Sequence, residues 1–304
     1  MGDFMLRKKA IRKIIITTFV FFVVLTIYML PSKNKKEELT YNIIKTKDIS
    51  VYLLNDYNQL TKVDFKVSDG KINSIIESII NKLTITNDAT IPKGFIQLIP
   101  NDVFIEDLNI NEKQVYIKFS DEFLNIPKED IEKVVESISY SLLELKEISG
   151  VSIYVGNDNI SDLYDNKFPK IITKEYGINK RVELKNFNDI SKVTIYYLDN
   201  EDNTNYYVPI TKYINDDREK IKIIIDELSS NYVYESNLIS LLDKNIKLLD
   251  YQIKDGNITL DFSNSIFLEQ ESIIEEVVYS VFANYDVDSI IFKANGKEML
   301  KRRF

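Results

Sequence analysis

The chain has 304 residues, 44% hydrophobic and 28% charged, which is enough apolar material for about two folded domains and too much for a disordered polymer. It contains no Cys and no His, which excludes disulfides, thiol nucleophiles, zinc sites built on those ligands and every Ser-His or Cys-His catalytic pair within the chain. Formal charge is -8, but residues 1–36 hold 8 of the 39 basic residues and 1 of the 47 acidic ones, so the remainder is near -15 and a poor general nucleic-acid binder.

Residues 1–13 form a basic tail with Arg7, Lys8, Lys9, Arg12 and Lys13. Ile14 to Leu30 then runs for 17 residues without a charge, Gly or Pro, the lower end of a bilayer-spanning length. The denser positive cluster on the N-terminal side predicts a single-pass anchor in the cell membrane, the tail cytoplasmic and everything after Pro31 extracytoplasmic. The competing reading is a cleaved signal peptide, but Met29-Leu30-Pro31-Ser32-Lys33 offers no small-residue cleavage site. Residues 31–48 are polar and charged and read as a linker, with a short strand through Tyr41 to Ile44 left open.

A first domain over 49–156 opens with the strand Ile49 to Leu54 and a second strand near Leu60 to Val67. Ile72, Ile75, Ile76, Ile79, Ile80 and Leu83 recur at helical spacing, with Ser68 or Asp69 as the expected N-cap. The strand Phe95 to Leu98 leads into Ile105 to Phe123, which reads as a hairpin turning at Asn111-Glu112-Lys113. A second helix, Lys128 to Leu145, buries Ile131, Val134, Val135, Ile138 and Leu142, and Val151, Ile153 and Val155 close the domain as a strand.

The hairpin recurs. LLDYQIKDGNITLDFSNSI, Leu248 to Ile266, falls on IEDLNINEKQVYIKFSDEF at an offset of 143, and the same offset carries Asp56 onto Asp199 and Ser50-Val51-Tyr52-Leu53-Leu54 onto Val193-Thr194-Ile195-Tyr196-Tyr197. The chain is therefore two copies of one unit. Residues 157–191 connect them; Asn157 to Asn166 is polar, while Lys170 to Leu184 is apolar enough to pair as an extra hairpin or dock on a neighbour. The second domain, 192–304, repeats the order: strands Lys192 to Leu198 and Tyr206 to Ile210, a helix Asp216 to Ser229, the second hairpin, a helix carrying Ile273, Ile274, Val277, Val278, Val281 and Phe282, and a last strand Ser289 to Lys293. Asn295-Gly296-Lys297 is a turn after it. The fold class this predicts is α+β, two tandem copies of a small sheet with two helices packed on one face.

The chemistry-bearing candidates are carboxylates at the hairpin ends, Asp121 and Glu122 in one copy and Asp261 in the other, since paired carboxylates can act on sugars. The copies disagree: Asp121 falls on Asn264 and Asp261 on Lys118, which favours solvated strand ends. Asp56 and Asp199 do correspond, at a turn, where Asp bonds its own backbone. No Gly-rich phosphate loop and no EF-hand spacing occurs, so no catalytic, cofactor or metal residue is assigned. The 19 Tyr, among them Tyr196, Tyr197, Tyr206 and Tyr207, suit either strands or interfaces.

Several stretches resemble the GerMN-domain family of sporulation and spore germination proteins: Val193 to Asp199, the helix bearing Leu228, Ile258-Thr259-Leu260-Asp261-Phe262-Ser263 before a helix, and Ile291 to Lys297 as the family's strand ending in a D-G-K-type turn. Val51 to Asp56, Val115 to Phe123 and Val151 to Val155 are similar in the first copy. The resemblance implies tandem domains like the ring-building motifs of secretion systems, a structural role in a complex linking mother cell and forespore, and no catalytic residue. Members are often lipoproteins; without Cys, attachment here falls to Ile14 to Leu30. The expected function is a non-enzymatic assembly module of the envelope, with envelope or sporulation-complex partners or self-association into a ring. The alternatives are a wall-binding or small-ligand-binding module and a carboxylate-dependent wall hydrolase.

Overall fold

The computed structural model describes residues 2–29, 45–201, 204–230, 233 and 237–303. Helix α1, Gly2–Met29, begins well before the apolar run and takes the basic residues into the same helix. Its stretch Ala10–Met29 has a mean hydropathy of 2.1 and no share buried, so it is long and apolar enough to cross a membrane. Leu30, most of the 31–48 linker and the open strand at Tyr41 to Ile44 lie outside the described residues.

In the first repeat, strands β1 (Thr46–Asn55) and β2 (Leu60–Ser68) form a hairpin, followed by α2 (Ile72–Leu83) and the short β3 (Phe95–Ile96) on the edge of β1. Strands β4 (Ile105–Asn111) and β5 (Gln114–Phe119) make the expected second hairpin. A 3-10 turn at Asp121–Asn125 leads to α3 (Ile131–Leu143), and β6 (Gly150–Val155) returns parallel to β5, with β7 (Asp158–Asn159) on its outer edge. The connection holds α4 (Ile160–Leu163) and β8 (Arg181–Glu183). The second repeat supplies β9 (Ile190–Glu201), β10 (Thr204–Asn215), α5 (Lys220–Leu228), β11 (Leu238–Ile239), β12 (Leu248–Lys254), β13 (Asn257–Phe262), α6 (Glu271–Asn284), β14 (Ser289–Ala294) and β15 (Lys297–Arg303).

The α+β class holds, and each repeat packs its helices against sheet. The sequence pattern did not show that each repeat divides its strands between two sheets. Strands β4–β7 and β12–β15 form separate four-stranded sheets, whereas the opening hairpins join edge to edge into one seven-stranded sheet ordered β11-β9-β10-β2-β1-β3, with β8 pairing parallel to β10. Helix α3 meets both β1 and β6, so its polar face is covered too: Ser137, Ser139, Tyr140 and Ser141 are buried along with Val134, Val135 and Ile138.

Ser137 and Ser141 complete the edge of β1. Ser137 Oγ donates to Tyr52 O at 2.7 Å and Tyr52 N donates to Ser141 Oγ at 2.8 Å. In the second repeat Tyr196 N donates to Ser280 Oγ at 2.9 Å, and the Asn284 amide takes Thr194 N and gives to Thr194 O. Side chains of α3 and α6 thus occupy edge groups that would otherwise invite another strand.

The offset of 143 holds for β4/β12 and β5/β13, down to a bulge at Ile105/Asp107 matched by one at Leu248/Asp250. It fails for the first strand. Ile49, Val51 and Leu53 enter one core, as do Val193, Ile195 and Tyr197 in the other, while Tyr52 shares a third cluster with Tyr196 and Leu198. The offset there is 144, because strand side chains alternate and a slip of one residue exchanges the two faces. Asp199 is therefore matched by the buried Asn55, and Asp56 is an exposed turn residue.

Other expectations are corrected in detail. Helix α2 starts after Lys71, which makes no side-chain cap, while Asp69 Oδ1 accepts from Gly70 N at 2.9 Å. Residues 220–228, and not 216–229, form α5, since the Asp216 side chain bonds Arg218 N in a turn. Helix α3 starts at Ile131, the turn after Pro127 taking up the residues before it. Asn295-Gly296 is the turn of a hairpin with positive φ at both residues, and it leads into β15 rather than away from the sheet. Within 157–191, the docking option is the one observed: Phe168, Ile172 and Ile178 are buried, and Ile172 bridges to Val151.

Candidate functional site: the seam between the repeats

The junction of the shared sheet begins with a single direct pair, Lys62 of β2 against Tyr207 of β10. Because Tyr52 pairs with Lys62 and Tyr196 with Pro209, Leu60 and Pro209 are the pair that mirrors it across the junction. There the strands are bridged by Asn179 from the connection. Its Nδ2 donates to Leu60 O and Pro209 O, both at 2.8 Å, and its Oδ1 accepts from Leu60 N at 2.9 Å. One amide side chain thus satisfies backbone groups of both strands where they part. Asn179 adopts φ 46, in the left-handed region that Asn tolerates, and its own N–H is held by Glu136 at 3.1 Å.

Below the strands, tyrosines close the seam. The hydroxyls of Tyr52 and Tyr196 meet at 2.6 Å, and Tyr52 also donates to Glu144 Oε1 at 2.7 Å. Lys62 Nζ binds Glu144 Oε2 at 2.7 Å and lies 4.1 Å from the centre of the Tyr279 ring. Tyr279 packs on Tyr196 and Tyr207, with ring centres 5.6 Å and 5.0 Å away. Burial drives the Tyr52 and Tyr196 hydroxyls far above their ordinary range, and the neighbouring Glu144 carboxylate adds to it, so both stay protonated donors. Burial alone would raise the Glu144 carboxyl, but the Lys62 and Lys174 ammonium groups outweigh it and hold it below the usual carboxylate range. Lys62 is likewise held above its usual value despite burial, chiefly by Glu144.

The repeats enclose a cleft of about 460 Å³ beside this network, walled by Tyr140 and Leu143 at the end of α3 and by Tyr279, Phe282 and Ala283 of α6. Its size and its position at a junction suit a ligand site.

The sequence-level candidates lie elsewhere and are not brought together. Asp121 is exposed at the start of the 3-10 turn after β5. Glu122, beside it, has its carboxyl lowered by hydrogen bonds from Ser120 and its own backbone. Asp261, on β13 in a separate sheet, accepts from Gly296 N at 3.0 Å and so holds the β14–β15 turn. Among the described residues, no group of three or more carboxylates is placed to hold a metal ion.

Of the tyrosines named from sequence, Tyr196 and Tyr207 belong to the seam, Tyr197 faces the second repeat's core, and Tyr206 meets Phe95 edge to face. Lys62, Glu144, Asn179, Ser141 and Ser280 were missed. A signal for part of this set was present, because Tyr140-Ser141 in α3 recurs as Tyr279-Ser280 in α6, at an offset of 139 that a search at constant spacing passes over.

Comparison with known proteins agrees with this architecture. The family model described as "Germane: Sporulation and spore germination" matches residues 50–161 and 194–300. The chain is 29% identical over 225 residues to the spore germination protein GerM of Bacillus subtilis (strain 168), covering 69% of this chain and 61% of that relative, so it matches about three fifths of the relative's length. It superposes with a TM-score of 0.73 and 25% identity on the solved tandem GerMN domains of the sporulation protein GerM from Bacillus subtilis, over 83% of this chain and 92% of that one. The chain belongs to the Germane family of sporulation and spore germination proteins.

Proposed function

We propose that the chain is a membrane-anchored, non-enzymatic assembly module of the cell envelope, acting in sporulation or spore germination as part of a complex between mother cell and forespore. In this reading α1 stays attached as the anchor, with its basic tail in the cytoplasm and both repeats outside. The observation that carries the reading is the shared seven-stranded sheet, which makes the two repeats one two-ended body with a four-stranded sheet in each half. Such a body suits lateral packing against copies of itself or other envelope proteins. With the portion beyond the basic segment near -15, contacts between copies need apolar or Tyr-rich surfaces, and other partners would best be basic.

The test is light scattering and electron microscopy of the full chain in detergent, alone and with co-purified envelope proteins, together with incubation on purified peptidoglycan. Regular assemblies and no muropeptide release are expected. Muropeptide release that disappears in Asp121→Asn or Asp261→Asn would replace this reading with a hydrolase, and saturable wall binding by a monomer would replace it with a wall-binding module.

A further inference from the structure

The cleft at the seam has a composition unlike the body around it. Five cationic side chains line it against three carboxylates, in a folded part whose formal charge is near -15. Two of the cations are engaged by carboxylates there: Lys62 by Glu144 at 2.7 Å and Lys47 by Glu147 at 3.9 Å. Lys174 also acts on Glu144, so Lys146 and Arg303 remain, against Asp48. Lys174, at the base, donates to Phe282 O near the end of α6 at 3.3 Å, which leaves the exposed Lys146 and Arg303 at the rim to meet a ligand. Between rim and base the surface is mainly apolar and aromatic, from Tyr140 and Leu143 on one wall and Val278, Tyr279 and Phe282 on the other.

A second hollow of about 440 Å³ continues from the first, sharing Leu143, Lys146, Lys174, Phe282 and Ala283 with it. Its lining balances Lys113, Lys146 and Lys174 against Glu175, Asp286 and Asp288, so the positive excess belongs to the first hollow. An anionic group is therefore favoured in the first hollow, beside Lys146 and Arg303, while an apolar body fits between the helices.

We propose that the seam cleft is a binding site for a small amphipathic anion, an aromatic or branched apolar body bearing one carboxylate, with the carboxylate at Lys146 and Arg303 and the body on Tyr140, Tyr279 and Phe282. The site exists only where the repeats meet, because one wall comes from α3 and the other from α6. It does not depend on the assembly role, and its test has no readout of association.

The probe is 2-naphthoate, titrated against the full chain in nanodiscs of zwitterionic lipid by ligand-observed NMR, with empty discs as the blank. Saturable binding of one probe per chain is expected, weakened about tenfold or more by the surface reversal Lys146→Glu/Arg303→Glu. Ala283→Leu, a helix-compatible change that fills the cleft without touching a charge, should abolish it. The uncharged 2-naphthamide should bind about tenfold more weakly than the acid. Thermal melts of each variant verify that the fold is kept. No saturable binding at millimolar probe, undiminished binding in Ala283→Leu or in the double reversal, or equal binding of the amide would overturn the proposal.

Discussion

Tyr52 and Tyr196 hold the same place in the two repeats, and their hydroxyls meet at 2.6 Å across the junction. Asn55 and Asp199 are a second such pair, with Asn55 Nδ2 at 3.3 Å from Asp199 Oδ2. A residue touches its own counterpart only near a two-fold axis, so the repeats are joined as a self-complementary dimer is joined, within one chain.

The tyrosine pair should be energetically coupled. Tyr52→Phe removes the donor to Glu144 and leaves the Tyr196 hydroxyl buried beside a ring, so a loss of about 1–3 kcal/mol is expected. Tyr196→Phe should cost less, because Tyr52 keeps Glu144. A double-mutant cycle by urea denaturation should give an interaction of about 0.5–2 kcal/mol, and additive losses would show that the hydroxyls do not act together.

The Lys62–Glu144 pair sets a larger cost. Lys62→Met leaves the Glu144 carboxylate buried without its closest cation and should destabilise by roughly 3–5 kcal/mol. Adding Glu144→Gln removes the stranded charge and should recover most of the loss. A double variant no more stable than Lys62→Met would mean that packing on Tyr279, not charge, is what Lys62 supplies.

Stability should also depend on pH through Glu276 of α6. This fully buried carboxyl accepts from Leu241 N at 3.1 Å, and burial pushes it up to about 8. The folded chain therefore keeps a proton that the unfolded chain gives up above about 4.5. The group's contribution is fully present below about pH 4.5, falls as pH rises to about 8, and is flat beyond, a loss on the order of 5 kcal/mol. Glu276→Gln should flatten that slope and be more stable than the parent at pH 8; an unchanged slope in denaturation curves from pH 5 to 8 would contradict the assignment.

Phe119 and Phe262 lie at matched positions of β5 and β13, both with no exposed surface, and stack on Phe123 and Phe292. Either replaced by Ala should cost about 3–5 kcal/mol. Melts of the two variants that match the parent would contradict the inward register of both strands.

The parts of the fold that repeat at one spacing were legible in the sequence: Val115, Ile117 and Phe119 and their partners Ile258, Leu260 and Phe262 alternate without interruption, and the hairpins are where expected. The seam was not legible, for three physical reasons. A one-residue change of spacing between β9 and β12 brings Tyr196, rather than Ile195, to the face occupied by Tyr52, and parity cannot be recovered from a constant offset. Nothing local distinguishes β2 or β10 as strands that pair with each other; their alternation is that of any half-buried strand. The residue that ties them, Asn179, comes from the stretch Lys170 to Leu184, whose apolar residues suggested docking but where one Asn looks like any other turn residue.

The central claim is that the seam makes the two repeats one cooperative body, and calorimetry of the full chain carrying Phe119→Ala tests it most directly. The account predicts a single unfolding transition in parent and variant alike, moved as a whole to lower temperature by the substitution, with calorimetric and van't Hoff enthalpies in agreement. Two transitions, of which Phe119→Ala lowers only one, would contradict it.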